Sequence, residues 1–393
     1  MKQVNVVLVG IGGYGGTMVD EFVNRPTSSM KLVGVVDPYP ERCAFLENLK
    51  EMNVPFYSDM GEFYASGSAE LAVISTPIFL HTQHILTALE NGSNVLCEKP
   101  LCSDAKDIDV IMETKAKTGK FVYIGYQWAY SDAITSLKKD ISDGKLGKVV
   151  EMKTLILRPR SLEYFNRGIG WAGKIKTDDG RLVYDSVANN SAAHYLFNML
   201  FVMGDYGISA EPTDITAELM RANKIENFDF SKIKFKIDGA DACFIAAHPV
   251  NQTIEPIFEY TFENATVYYS NEVNNNTNSM FPEEYTEYGD IVAIFKDGKK
   301  VNYGNPGLEE DACKKLHDAV RAIEEGRTDD GPCGVEATAV HTRMINEIQE
   351  KFPIIDIKES VRRIEDGFLY AEGLFERTIE CYKDLTKDFA DFI

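Results

Sequence analysis

Six apolar, mostly β-branched residues, Val4–Val9, run directly into Gly10-Ile11-Gly12-Gly13-Tyr14-Gly15, and a helix-period segment, Gly16–Asn24, follows at once. This order admits few folds. A buried strand that meets G-x-G-x-x-G and then a helix needs Gly10 for a tight turn and Gly12 for backbone exposure to a ligand. Gly15 is then needed for close helix–strand packing. The helix N-terminus beyond it offers unsatisfied N–H groups and the positive end of its dipole, which suit a phosphate. An ordinary glycine-rich strand–helix turn is the alternative.

Four further apolar runs follow, Leu32–Val36, Leu71–Ser75, Asn94–Cys97 and Phe121–Ile124, separated by amphipathic stretches such as Leu80–Glu90. Continuous apolar strands joined by helical crossovers predict a doubly wound parallel sheet in residues 1–125. The pattern then changes. A helical stretch, Ser131–Asp143, leads to a strand at Val149–Leu157, and a long apolar helix spans Ala192–Met203. Runs at Lys232–Ile237, Ala242–Ala247, Pro256–Phe262 and Ile291–Phe295 predict roughly six strands over 213–303, without crossovers and mainly antiparallel. Asn274–Asn278 reads as a polar loop. Glu309–Glu325, Gly334–Gln349 and an acidic amphipathic segment from Ser360 onward read as helices. The fold class is therefore α/β in residues 1–125, followed by an α+β domain with an open, mainly antiparallel sheet in 126–393.

With 41 Lys+Arg against 61 Asp+Glu, the net charge of −20 argues against a nucleic acid or an anionic membrane surface as partner. Seven cysteines at irregular spacing, with no C-x-x-C pair, indicate neither a disulfide framework nor a zinc site. No apolar stretch approaches a membrane span, and the first apolar run is too short for a signal-peptide core. A soluble, cytoplasmic protein with no metal site is expected.

Three clusters carry chemistry. Asp37 closes the second strand, 22 residues beyond Gly15. A carboxylate there accepts hydrogen bonds from the adenine-ribose hydroxyls of NAD, whereas a 2′-phosphate about 4 Å away would meet a repulsion of ~4 kcal/mol per charge. NAD is favoured over NADP, Arg42 being close enough in sequence to soften the bias. A turn residue before Pro38 is the other reading of Asp37. Ser75-Thr76-Pro77, His81 and Glu98-Lys99-Pro100 fall at or near the C-terminal ends of consecutive strands, the rim where such sheets bind ligands. A partly desolvated Lys99 there is suited to proton transfer, although on physical grounds alone a surface lysine more often forms a salt bridge.

In these residues the sequence resembles the glucose–fructose oxidoreductase / inositol dehydrogenase (Gfo/Idh/MocA) family. Gly125-Tyr126-Gln127, Gly144–Val149 and Cys333-Gly334-Val335-Glu336 with His341-Thr342 extend the resemblance along most of the chain. It implies a Rossmann domain, NAD(P)-dependent oxidation or reduction of a sugar, cyclitol or related polyol, and Lys99 as the proton shuttle. It also implies cofactor contacts from Gly10, Ile11, Gly12, Gly13, Tyr14, Gly15, Asp37, Ser75, Thr76, Pro77, His81, Glu98, Lys99 and Gln127, and association into a homodimer or homotetramer. In the family an Asp-x-x-x-His-x-x-Asp helix faces the nicotinamide. Here His194 takes the histidine place, Asn190 stands at the first aspartate and Phe197 at the last. Asn190 can hydrogen-bond a substrate hydroxyl but supplies no charge, and Asp185 is a distant substitute. Trp171 matches a tryptophan set against cofactor or substrate, and could equally anchor a loop. Tyr164, with Arg160 and Arg167, precedes it as a candidate substrate contact. Two other readings of the same residues stay open: a redox-neutral elimination or epimerisation with recycled NAD, and a non-catalytic dinucleotide-binding regulator.

Overall fold

The computed structural model describes residues 3–167, 170–271, 280–307 and 312–393; the polar stretch Asn274–Asn278 and the start of the helix expected from Glu309 lie outside them. The chain forms two compact units, one of residues 1–130 and 307–342, the other of 131–306 and 343–393.

The first unit holds six strands: β1 (Val4–Val9), β2 (Met30–Val36), β3 (Phe56–Tyr57), β4 (Leu71–Ile74), β5 (Asn94–Cys97) and β6 (Val122–Ile124). They pair in parallel in the order β3-β2-β1-β4-β5-β6. The order reverses between β1 and β4, and the crevice outside the strand ends at such a switch point is where a ligand binds. Segment 307–342, grouped with the second half on sequence grounds, packs with this unit instead. Its helix Lys314–Glu324 lies on β1, β4 and β5. Two contacts fix the rest of the segment: Ile124 N–H donates to the Cys333 carbonyl at 2.8 Å, and Tyr126 Oη lies 3.0 Å from His341 Nδ1.

The second unit is built on a nine-stranded mixed sheet. Its strands are β7 (Val149–Leu157), β8 (Thr213–Arg221), β9 (Phe230–Ile237), β10 (Ala240–Ala247), β11 (Ile254–Phe262), β12 (Ala265–Ser270), β13 (Ile291–Phe295), β14 (Lys300–Gly304) and β15 (Ile354–Asp356). The order is β14-β13-β12-β11-β7-β10-β9-β8-β15, with β7–β10 and β8–β15 parallel and the other pairs antiparallel. Among the described residues seven strands, against roughly six expected, fall between 213 and 304.

Strand alternation sends the two sets of side chains to opposite faces. On one face Thr154 and Tyr260 meet helix Ala193–Val202, where Asn198 Nδ2 donates to Tyr260 Oη at 3.3 Å. On the other, Leu155, Ile245 and Ile257 pack into one buried cluster with Leu374, Phe375, Tyr382 and Phe389 of the C-terminal segment. The Phe389 ring lies 4.5 Å from Phe230. The chain's own tail thus covers the central strands on this face. That tail is not one helix from Ser360. Asp366 and Gly367, at φ 48° and 80°, form a turn of the kind that reverses two strands, so β16 (Arg362–Glu365) and β17 (Phe368–Ala371) pair as a hairpin before helix Leu374–Lys383.

Candidate functional site

In the first unit the glycines behave as their spacing predicts. Gly10 has φ +82°, and a Cβ there would lie 2.9 Å from Thr76 Cγ2. A Cβ on Gly15 would lie 2.3 Å from the Gly10 carbonyl oxygen, so the helix Gly15–Asn24 begins directly against the end of β1. Beside Gly12 only Arg42 Cβ comes within 4 Å, at 3.9 Å, and nothing does beside Gly13. The amides of Gly12 and Gly13 make no hydrogen bond among the described residues. The turn is open where a pyrophosphate would approach and closed where side chains would obstruct the chain. Asp37, at the end of β2, accepts from Ile11 N–H at 2.9 Å and Tyr39 N–H at 2.8 Å. Ile11 is itself buried, so it contributes backbone rather than surface. The exposed Arg42 lies over the Tyr39 ring, 4.6 Å from its centroid. These residues fit a dinucleotide, with Gly10–Gly15 at the phosphates and Asp37 at a ribose.

Ser75, Thr76 and Pro77 end β4, and Glu98, Lys99 and Pro100 end β5, each partly or wholly buried. His81 is buried. It is 1% exposed, with Nδ1 2.7 Å from the Pro100 carbonyl and Nε2 2.9 Å from that of Thr76. Burial pulls its pKa below the ordinary histidine value. His81 thus lies between the two strand ends, its ring against the Pro100 and Thr76 carbonyls. Lys99 is half-buried, and Gln127 is half-buried in the short turn Gln127–Tyr130 after β6. Beside Lys99, Glu98 pairs with the fully buried Lys315. Lys315 Nζ also lies 3.3 Å from the Gly125 carbonyl and 3.4 Å from Tyr14 Oη. Burial lowers the pKa of this ammonium, but Glu98 and Tyr14 outweigh it and the net shift is upward.

In the second unit, Asn190 sits in a π turn, Val187–Ser191, and His194 in the first turn of the helix Ala193–Val202. The regular i, i+4 alignment expected for the pair is thus interrupted, and such π turns are frequent at functional sites. Asn190 Nδ2 donates to Asp185 Oδ1 at 2.7 Å, and Asp185 Oδ2 accepts from Gly173 N–H at 2.6 Å. A buried carboxylate therefore stands directly behind the asparagine. Phe197 is 2% exposed and packs 5.4 Å from the Phe201 ring, so its position serves the core. The Arg167 guanidinium lies 3.6 Å from the Tyr164 ring centroid and 5.1 Å from that of Trp171, which brings both aromatic candidates onto one cation.

Residues 4–126 match the family described as an oxidoreductase family with an NAD-binding Rossmann fold, GFO_IDH_MocA. Relatives agree with it. A 2,7-anhydro-N-acetylneuraminate hydratase of Mediterraneibacter gnavus is 27% identical over 150 residues, which is 38% of each chain. An inositol 2-dehydrogenase of Corynebacterium glutamicum is 25% identical over 170 residues, 43% of this chain and 50% of that one. The family match covers the N-terminal third of the chain. The chain spans half or less of the length of those two relatives. Its fold extends further. The WlbA dehydrogenase of Bordetella pertussis, solved with NADH and UDP-GlcNAcA, shares the fold at a TM-score of 0.68 and 17% identity, over 89% of this chain and 96% of that one.

Sequence spacing pointed to neither Lys315 nor the engagement of Asp185 with Asn190. Lys315 lies 217 residues from Glu98, and only the fold brings them together. Removing one partner of a buried ion pair strands the other charge, typically at a cost of about 3–5 kcal/mol. Lys315→Met should therefore destabilise the first unit by that order in denaturant unfolding. The double variant Lys315→Met/Glu98→Gln should recover a substantial part of the loss.

Proposed function

We propose that this protein is an NAD-dependent oxidoreductase acting on a secondary hydroxyl or ketone of a sugar, glycoside or cyclitol. The observation that carries this is the rim of the parallel sheet, where the open glycine turn, Asp37 and half-buried Lys99 end neighbouring strands of one unit. Bound dinucleotide supplies a hydride acceptor or donor. The chain's own residues do the rest. Asp37, fixed by two backbone N–H groups, accepts the ribose hydroxyls and repels a 2′-phosphate. Lys99 Nζ takes the proton of the substrate hydroxyl on oxidation and returns it on reduction. Lys315 pairs with the neighbouring Glu98 carboxylate, and Lys99 accepts the proton as the neutral amine and donates it as the ammonium. Within the second unit, Asn190 (braced by Asp185), His194, Tyr164 and Trp171 are the candidate contacts for a sugar, the aromatic rings offering faces to it.

A redox-neutral variant of this chemistry, with recycled NAD, is supported by the hydratase among the relatives. It differs in showing turnover with no net NADH. Among the described residues no helix is long and apolar enough to cross a membrane, and we read the protein as cytoplasmic with a small-molecule partner. The expected homodimer or homotetramer must use a surface other than the sheet face under the C-terminal segment, and light scattering checks whether it forms.

Lys99→Ala should lower kcat by roughly 10²–10⁴-fold, the usual worth of a general acid–base group, with dinucleotide binding retained. Near-normal turnover sinks the assignment. Asp37→Ser should shrink the preference for NAD over NADP by about 10²–10³-fold, read from the two dissociation constants. An unchanged preference removes Asp37 from the ribose site.

A further inference from the structure

Where β7 leaves the sheet, the chain places Arg158 and Arg160 in succession, and a single helical turn, Leu162–Phe165, brings Arg167 back toward them. The turn is capped by Ser161, whose Oγ accepts from Tyr164 N–H at 3.2 Å. All three cations collect around Tyr164, and two of them are accounted for. Arg158 pairs with Glu255. Arg167 donates to the Tyr164 carbonyl at 2.7 Å and lies 3.8 Å from Asp185 Oδ2.

Arg160 is different. Its guanidinium carbon lies 4.6 Å from the Tyr164 ring centroid, yet it makes no hydrogen bond or ion pair with any described residue. Its Nε is closed off from solvent with no acceptor. Burial, and then Arg158 and Arg167, push its pKa below the ordinary arginine value. A half-buried guanidinium among like charges lacks the partner that such groups ordinarily have.

The cluster holds three guanidiniums against two carboxylates, Glu255 and Asp185. His248 does not alter the balance. Its Nδ1 lies 2.8 Å from the Arg158 carbonyl and its Nε2 2.9 Å from Ser191 Oγ, and burial first, then the arginines, bring its pKa down to about 3. The net charge at neutral pH is one positive. Tyr164 and Asp185, which the arginines contact, line a small cavity together with Ser186 and His248, with Phe165 and Phe228 as its apolar wall. Through Asp185 this cavity reaches Asn190.

We propose that Arg160 is the anion-binding residue of a substrate subsite, and that the substrate is an acidic sugar whose carboxylate it receives. One excess positive charge matches a monoanionic carboxylate, and a guanidinium matches its two oxygens. A dianionic phosphate would overbalance the cluster and meet Asp185 and Glu255 at close range. Tyr164, whose phenol burial holds above its ordinary pKa, keeps its proton and can donate to the sugar. This inference rests on the sugar-oxidoreductase reading above.

The test uses NAD-loaded protein with D-glucuronate and D-galacturonate against D-glucose and D-galactose, by thermal shift and turnover, for the wild type, Arg160→Gln and Arg160→Lys. The expected result is tighter binding of a uronate than of its neutral counterpart. Arg160→Gln should weaken that binding roughly 10- to 100-fold while leaving NAD affinity unchanged, and Arg160→Lys should restore part of it. Neutral and acidic sugars handled alike, or inorganic phosphate protecting as well as a uronate, overturns the subsite and leaves the oxidoreductase reading standing. A protein that binds NAD but none of the four sugars overturns both.

Discussion

At the end of β1 the backbone leaves no room for a side chain, and the chemistry proposed for the first unit depends on that restriction. The Gly10 carbonyl and the Gly15 Cα approach so closely that any Cβ on Gly15 would collide with the oxygen. That contact starts the helix at the strand end, turns the Gly12 and Gly13 amides outward and puts Ile11 N–H within reach of Asp37. The tips of β4 and β5 are set by a second restraint, the buried His81 that bridges the Thr76 and Pro100 carbonyls. Lys99 is thereby placed by backbone geometry on either side of it, not by a flexible loop.

Much of this was legible in the sequence because it is local. A strand, three glycines and a helix occupy consecutive positions, and Asp37 ends the next strand, so periodicity and spacing suffice. Lys315 was not legible. Nothing near it signals an ion pair with Glu98, and the segment that carries it returns to the first unit only after eight of the nine strands of the second sheet have been built. The C-terminal hairpin was misread for a different reason. The acidic amphipathic pattern after Ser360 fits a helix, but the consecutive positive φ angles at Asp366-Gly367 impose a strand reversal.

The second unit shows how a departure from a family pattern can be absorbed. Phe197 joins the core beneath the sheet, so its place in the motif is structural. Asn190 retains a carboxylate one hydrogen bond away, in Asp185, which also fixes the Gly173 amide of the turn after Trp171. Charge removed from one position of the motif is present at another, reached through a π turn that no 3.6-residue periodicity would reveal. The sheet beneath is closed on both sides by this chain alone, by the Ala193–Val202 helix and by the C-terminal tail, so the platform for these residues needs no second copy to complete its core.

The central claim is that the glycine turn and Asp37 form a site for NAD. It is tested most directly by denaturing the purified protein, identifying any dinucleotide released, and titrating emptied native protein with NAD and NADP in a calorimeter. The account predicts NAD or NADH in the supernatant, or a site that saturates with NAD and takes NADP far more weakly. Tighter binding of NADP would contradict the role given to Asp37. Binding of neither dinucleotide would contradict the account itself.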